Sequence, residues 1–177
     1  SYLVKAGDSL ERIARNFGTT VDLIKKSNGL EKDMIHPGDV LRVFAGKFAV
    51  TIIKSRNELV LTMNDRLFKR YNVGTGKLGT TPTGVFQIDD KIVDPPWWRP
   101  DGKMLPFGDP ENVLGTRWMS LKAIEDTQDV KGYGIHGTWD DTTIGQQASQ
   151  GCVRLRNADV EELYMLLPVG TRVVIVE

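Results

Sequence analysis

Glu58-Leu59-Val60-Leu61-Thr62-Met63 and Arg66-Leu67-Phe68-Lys69-Arg70-Tyr71-Asn72-Val73 flank the dipeptide Asn64-Asp65, and the stretch reads as two antiparallel strands joined by a two-residue turn. A β-branched run, Phe48-Ala49-Val50-Thr51-Ile52-Ile53, precedes it, and further strand-like runs lie at Gly84–Ile88, Arg117–Leu121, Gly134–Gly137 and Thr171–Val176. One helix is marked in this part of the chain. Asn157 is its expected cap, Val160, Leu163, Tyr164 and Leu167 form its apolar stripe, and Pro168 stops it. Many short strands with one main helix predict a mainly β, sandwich-like domain over residues 46–177. The segment from Asp94 to Val113 is rich in Pro, Gly and Trp and has no periodicity; a loop of that length inside a compact domain is usually functional. Its Trp97-Trp98 pair fits a lid, or apolar area buried under the sheet.

Residues 1–45 read as strand, helix, helix, strand. Tyr2-Leu3-Val4-Lys5 is a short strand, Asp8 is the expected helix cap with Glu11 as its capping-box partner, and Leu10, Ile13, Ala14 and Phe17 follow at helical spacing. Gly18 ends that helix, Thr20 caps a second one, Asn28-Gly29 terminates it, and Val40-Leu41-Arg42-Val43 closes the unit. The run Val4-Lys5-Ala6-Gly7-Asp8-Ser9-Leu10, then Ile13-Ala14, Asn28 and Ile35-His36-Pro37-Gly38-Asp39-Val40-Leu41 resembles a LysM domain. LysM domains bind N-acetylglucosamine-containing glycans such as peptidoglycan. The resemblance implies a βααβ fold with glycan contacts from two loops, at Gly7, Asp8, Ser9 and Leu10 and at Gly29 and Leu30. Ala45-Gly46-Lys47 is a short joint, and the fold class of the whole is α+β, mainly β.

Lys plus Arg and Asp plus Glu number 23 each, so the formal net charge is zero. A balanced chain with no basic stripe is a poor binder of nucleic acid or of an anionic membrane surface. No apolar run reaches the roughly 18 residues of a membrane span. No apolar signal core follows Ser1, which fits an intracellular protein or a mature, trimmed form. Oligomeric state has no signature in the sequence.

Cys152 is the only cysteine, and with two histidines it is too little for an ordinary closed zinc site, so neither a metal nor another cofactor is expected. It is either a small buried apolar group or a reactive one. Its surroundings favour the second. Tyr133-Gly134-Ile135-His136-Gly137-Thr138 precedes Ala148-Ser149-Gln150-Gly151-Cys152-Val153-Arg154-Leu155, with glycines beside both His136 and Cys152. A thiol with an ordinary pKa near 8.5 is only a few per cent thiolate at neutral pH, and a histidine that takes its proton activates it. The imidazole needs a third group to fix its tautomer; Asp140, Asp141 or a backbone carbonyl can serve. The backbone N–H groups of Gly151 and Cys152 are candidate oxyanion donors, and Arg154 shares the strand face of the thiol.

His136-Gly137-Thr138 followed by Ser149-x-Gly151-Cys152-x-Arg154 resembles the signature of the L,D-transpeptidase (YkuD-type) catalytic domain. Asn72-Val73-Gly74-Thr75-Gly76, Thr81-Pro82-Thr83-Gly84-Val85-Phe86, Pro95–Pro100 and Leu114–Met119 extend the likeness over nearly all of residues 47–177. Where many members carry a second histidine just before Gly-Cys, this chain has Gln150. The resemblance implies a reaction. Cys152 attacks the bond between the third residue and the fourth, D-alanine, of a peptidoglycan tetrapeptide stem, and the acyl group passes to an amine in a 3→3 cross-link or to water. It also implies acylation by carbapenems, and an extracytoplasmic location in the cell envelope. On this reading His136 is base and then acid, the Gly137 carbonyl orients it, and Arg154 anchors a carboxylate or bridges an acidic neighbour. Ser149 is a site or turn residue. Tyr133 and Trp139 wall the substrate or pack, and Trp118 packs. The same acyl-enzyme can anchor proteins, exchange D-amino acids or trim stems. A non-catalytic glycan binder has no reason to keep the His136–Cys152 pair, and sortases place their arginine farther beyond the cysteine.

Overall fold

The computed structural model of the protein describes residues 1–149 and 151–177. The N-terminal unit runs β1 (Tyr2–Leu3), α1 (Leu10–Phe17), α2 (Val21–Asn28) and β2 (Val40–Leu41), with β1 and β2 paired antiparallel. Val4, Leu10, Ile13, Ala14, Ile24 and Leu41 form its core. The cap of α1 is Ser9 rather than Asp8: Ser9 Oγ accepts from the Arg12 N–H at 3.2 Å. Asp8 instead accepts from the Tyr2 hydroxyl at 2.7 Å and from the Lys5 N–H at 2.8 Å, which folds the turn ahead of the helix. Thr20 caps α2, and Gly18 and Gly29 end the two helices in the left-handed conformation.

The rest of the chain runs β3 (Phe48–Ile53), β4 (Glu58–Met63), β5 (Arg66–Asn72), β6 (Thr75–Gly76), β7 (Gly84–Val93), β8 (Trp97–Trp98), β9 (Met104–Leu105), β10 (Arg117–Ala123), β11 (Gly134–Thr138), β12 (Gln147–Ser149), β13 (Val153–Arg156), α3 (Asn157–Leu166) and β14 (Arg172–Val176). Eight of these strands form one mixed sheet in the order β13-β11-β10-β7-β14-β3-β4-β5. Asn64 and Asp65 turn β4 into β5 with φ of 50° and 65°, the left-handed angles a two-residue hairpin needs. β14 lies between β7, to which it is antiparallel, and β3, to which it is parallel. The inward positions of the strands and the Val160, Leu163 and Leu166 stripe of α3 make one continuous core.

Three local features depart from the sequence pattern. β7 runs on through Asp89, Asp90 and Lys91 to Val93, because β10 pairs with it beyond a bulge between Met119 and Leu121. The Asp94–Val113 segment contains the small β8–β9 hairpin, held by buried Asn112, whose Nδ2 donates to the carbonyls of Pro95, Leu105 and Pro106. Asn157 is the first residue of α3 rather than its cap, and its Oδ1 accepts from the Thr116 N–H at 3.1 Å.

The N-terminal unit rests on the far end of α3. Thr20 Oγ1 donates to the Met165 carbonyl, and Leu23 packs against the larger core. Lys91 Nζ donates at 2.6 Å to each of the carbonyls of Tyr164 and Leu167, closing that end of the helix. At the joint, Phe44 stacks on Phe48 with ring centroids 5.3 Å apart. Among the described residues no helix is long and apolar enough to cross a membrane.

Candidate active site

β11 and β13 run parallel, with His136 beside Arg154 and Ile135 beside Val153. Strand alternation then divides the residues between two faces. Ile135, Val153 and Leu155 point into the core. His136, Arg154 and Cys152, which directly precedes β13, take the other face and line one cavity of about 520 Å³. The backbone of Arg154 is also fixed on its far side, where Gly74 and Arg154 exchange N–H···O bonds of 2.8 and 2.9 Å.

The imidazole is 3% exposed. Its Nδ1 lies 2.6 Å from the Gly137 carbonyl, which fixes the proton on Nδ1 and leaves Nε2 unprotonated in the neutral ring. No room exists for a side chain at Gly137: a Cβ there would meet Asn157 Oδ1 at 2.1 Å, so α3 presses directly on the strand that carries His136. On the β10 side Trp118 stacks on the imidazole at 5.9 Å between centroids, in register with it. Burial lowers the His136 pKa to about 4; the Arg154 charge pushes the same way, and backbone hydrogen bonds with Gly137 and Leu114 oppose it. Burial also raises the thiol of Cys152, against a backbone hydrogen bond from Gly134 and the Arg154 charge. The resting pair is therefore neutral thiol and neutral imidazole. Among the described residues, Cys152 Sγ donates to the Gly132 carbonyl at 3.6 Å and makes no hydrogen bond with His136, although both face the cavity.

The turn before Cys152 is tied by Ser149. Its Oγ donates to the Cys152 carbonyl at 2.7 Å and accepts from the Gly151 N–H at 3.2 Å. The Gly151 amide, expected to face an oxyanion, is thus committed to the turn, whereas the Cys152 N–H makes no hydrogen bond among the described residues. Gly151 has φ +126°, and a Cβ there would meet the Tyr133 ring at 2.3 Å, so only glycine fits. Gln150 lies outside the described residues.

Tyr133, Ser149, His136, Cys152 and Arg154 all line the cavity, as do Trp97 and Trp98, the latter 68% exposed at the rim. Trp139 is not brought there. It follows the end of β11, stands 59% exposed and leans on Phe107. Asp140 and Asp141 likewise stay off the imidazole, and Asp140 binds Thr142 instead. In the N-terminal unit Leu10 is fully buried and serves the core, so it cannot touch a glycan. Ser9 and Asp8 are engaged in the helix cap and the turn, while Gly7 and Gly29 lie at exposed turns and Leu30 packs on the small core. Sequence reading missed Lys77 and Lys131, which line the cavity, and Thr143, whose Oγ1 accepts from Arg154 Nη1 at 3.1 Å. None stands near the cysteine motif in a way that period or spacing reveals.

Residues 47–175 match the YkuD family, the L,D-transpeptidase catalytic domain, and residues 2–44 match the LysM domain. A putative L,D-transpeptidase YkuD of Bacillus subtilis (strain 168) is 32% identical over 183 residues, covering 99% of this chain and 98% of the relative. An L,D-transpeptidase from Mycobacterium smegmatis shares the fold with a TM-score of 0.60 at 18% identity; the match covers 80% of this chain and 65% of that one. An L,D-transpeptidase solved in complex with imipenem has a TM-score of 0.57 at 16% identity, over 74% of this chain and 59% of that one.

Proposed function

The chain belongs to the L,D-transpeptidase family, and on that premise we propose that residues 46–177 cleave and transfer peptidoglycan stem peptides through Cys152 while residues 1–45 hold the glycan. The observation that carries this reading is the shared cavity face: imidazole with its tautomer fixed and guanidinium from two paired strands, and the thiol from the residue that leads into the second.

In the first step His136 Nε2 takes the thiol proton as Sγ attacks the carbonyl carbon of the third stem residue. The oxyanion forms against the N–H of Cys152, which has no hydrogen-bond partner among the described residues, and Ser149 with Gly151 holds the turn that aims it. The C–N bond then breaks, His136 returns the proton to the leaving D-alanine amine, and a thioester remains. An acceptor amine attacks the thioester, gives its proton to His136, and the thiol reforms. A side-chain amine of another stem gives a 3→3 cross-link; water gives the carboxypeptidase reaction. Burial favours the neutral thiol and the neutral imidazole, so His136 has to take the thiol proton for the sulfur to attack. Glycan contact falls to the loops around Gly7 and Gly29, with Leu10 excluded by burial. A peptidoglycan substrate places the protein outside the cytoplasmic membrane, in the cell envelope.

Intact-protein mass spectrometry after incubation with a carbapenem tests the reading. Wild type gains the mass of one carbapenem, Cys152→Ala gains nothing, and His136→Asn acylates about 10²–10⁴-fold more slowly. A wild-type thiol that is free and unoxidised yet takes no adduct would move the function to glycan binding alone.

A further inference from the structure

The chain as a whole balances 23 basic against 23 acidic side chains, but the cavity around Cys152 does not. Lys77, Lys131 and Arg154 line it, and no Asp or Glu does among its lining residues. None of the three cations takes part in an ion pair among the described residues. Among the described residues the Arg154 side chain makes a single hydrogen bond, from Nη1 to Thr143, and its buried Nε has no partner, so most of its fork is uncommitted. Trp97, Trp98, Val113 and Leu114 give the cavity apolar walls, which concentrate the field of the three charges on whatever enters.

The cations come from three separate segments that meet around the cavity holding the thiol. Lys77 follows Gly76, whose Cβ position lies 2.8 Å from Gly151 Cα in the cysteine turn. Lys131 precedes Gly132, the carbonyl that accepts from Cys152 Sγ. Arg154 stands beside His136 on β13. One guanidinium suffices for a ligand with one carboxylate. Three cations lining one cavity with the thiol fit a ligand that carries more than one carboxylate.

We infer that Lys77 and Lys131 make this site selective for donor peptides whose side carboxylates are free rather than amidated, Arg154 holding one carboxylate and the two lysines reading the others. The inference rests on the acyl-transfer reading above and adds the charge of the donor to it.

Two synthetic tetrapeptide donors test it on the full chain. They are identical except that the side carboxylates are free in one and carboxamides in the other, and D-alanine release gives kcat and KM for each. Two exposed ion pairs predict that wild type favours the free-carboxylate donor by about three- to tenfold in kcat/KM at low salt, through KM, with the preference shrinking toward unity at about 1 M salt. A Lys77→Gln, Lys131→Gln double variant abolishes the preference by raising KM for the free-carboxylate donor. Equal use of the two donors by wild type overturns the inference, as does a double variant that loses both donors in the same proportion. If wild type releases D-alanine from neither donor and also takes no carbapenem adduct, the acyl-transfer reading itself falls; a carbapenem adduct without donor discrimination overturns only the charge selection.

Discussion

His136 shows what the chain spends to place an imidazole inside the protein. Burial takes its pKa from 6.5 to about 4. An unfolded chain therefore binds a proton below about pH 6.5 that the folded chain refuses until about pH 4. Between those values the unfolded state holds more protons, so stability falls as the pH falls, by up to about 3 kcal/mol, and the loss is complete below the folded pKa. Urea unfolding at pH 7, 5.5 and 4 should show this slope in wild type and a shallower one in His136→Asn; equal slopes would place the ring in a far more polar setting than the structure gives it. At this scale the sequence was informative where residues are close along the chain. His136-Gly137-Thr138 and Gly151-Cys152-Val153-Arg154 carry three of the residues that line the cavity and the carbonyl that holds the imidazole Nδ1. It was silent on Lys77 and Lys131 and read Trp118 only as packing, because their approach to the site comes from strand register and loop convergence. It misassigned Asp8 and Leu10, because a capping residue and a core residue look alike beside an expected binding loop.

Among the elements, those governed by local rules were legible. The β4–β5 hairpin follows from Asn64-Asp65, which tolerate left-handed angles, and the ends of α1 and α2 follow from Gly18, Thr20 and Gly29. The elements set by distant partners were not: β7 extends through polar residues because β10 supports it, and β6 and β12 exist only because they pair with each other. α3 is a case of both. Its stripe was readable, but Asn157 serves Thr116 on another element rather than its own helix. Asn157→Ala leaves the Thr116 N–H without its acceptor beside the site and should cost about 1–3 kcal/mol, measured by urea denaturation. Asn157→Asp, which keeps the acceptor, should lose clearly less, and equal losses would assign the effect to helix propensity.

Across the whole molecule α3 is a shared beam. One end presses on Gly137 through Asn157, and the other receives the N-terminal unit through Thr20. Thr20 does two jobs, accepting from the Leu23 N–H at 3.1 Å to cap α2 and donating to Met165. Thr20→Ala should therefore lower stability by about 1–2 kcal/mol, or a Tm shift of about 2–8 °C in a chain of this size. Thr20→Asp keeps the cap acceptor but not the donor to Met165, so it should recover only part of the loss; full recovery would mean that the contact with α3 contributes nothing.

β14 occupies the middle of the large sheet, between β7 and β3. No portion of the chain that stops short of it can join the β3-β4-β5 half to the β7-β10-β11-β13 half. As the polypeptide is made, the βααβ unit and the β3-β4-β5 meander can form from near neighbours at once, whereas β3 and β7 have to wait for β14, drawn from far along the chain. The order of synthesis thus keeps the two halves of the large sheet apart until β14 has emerged between them.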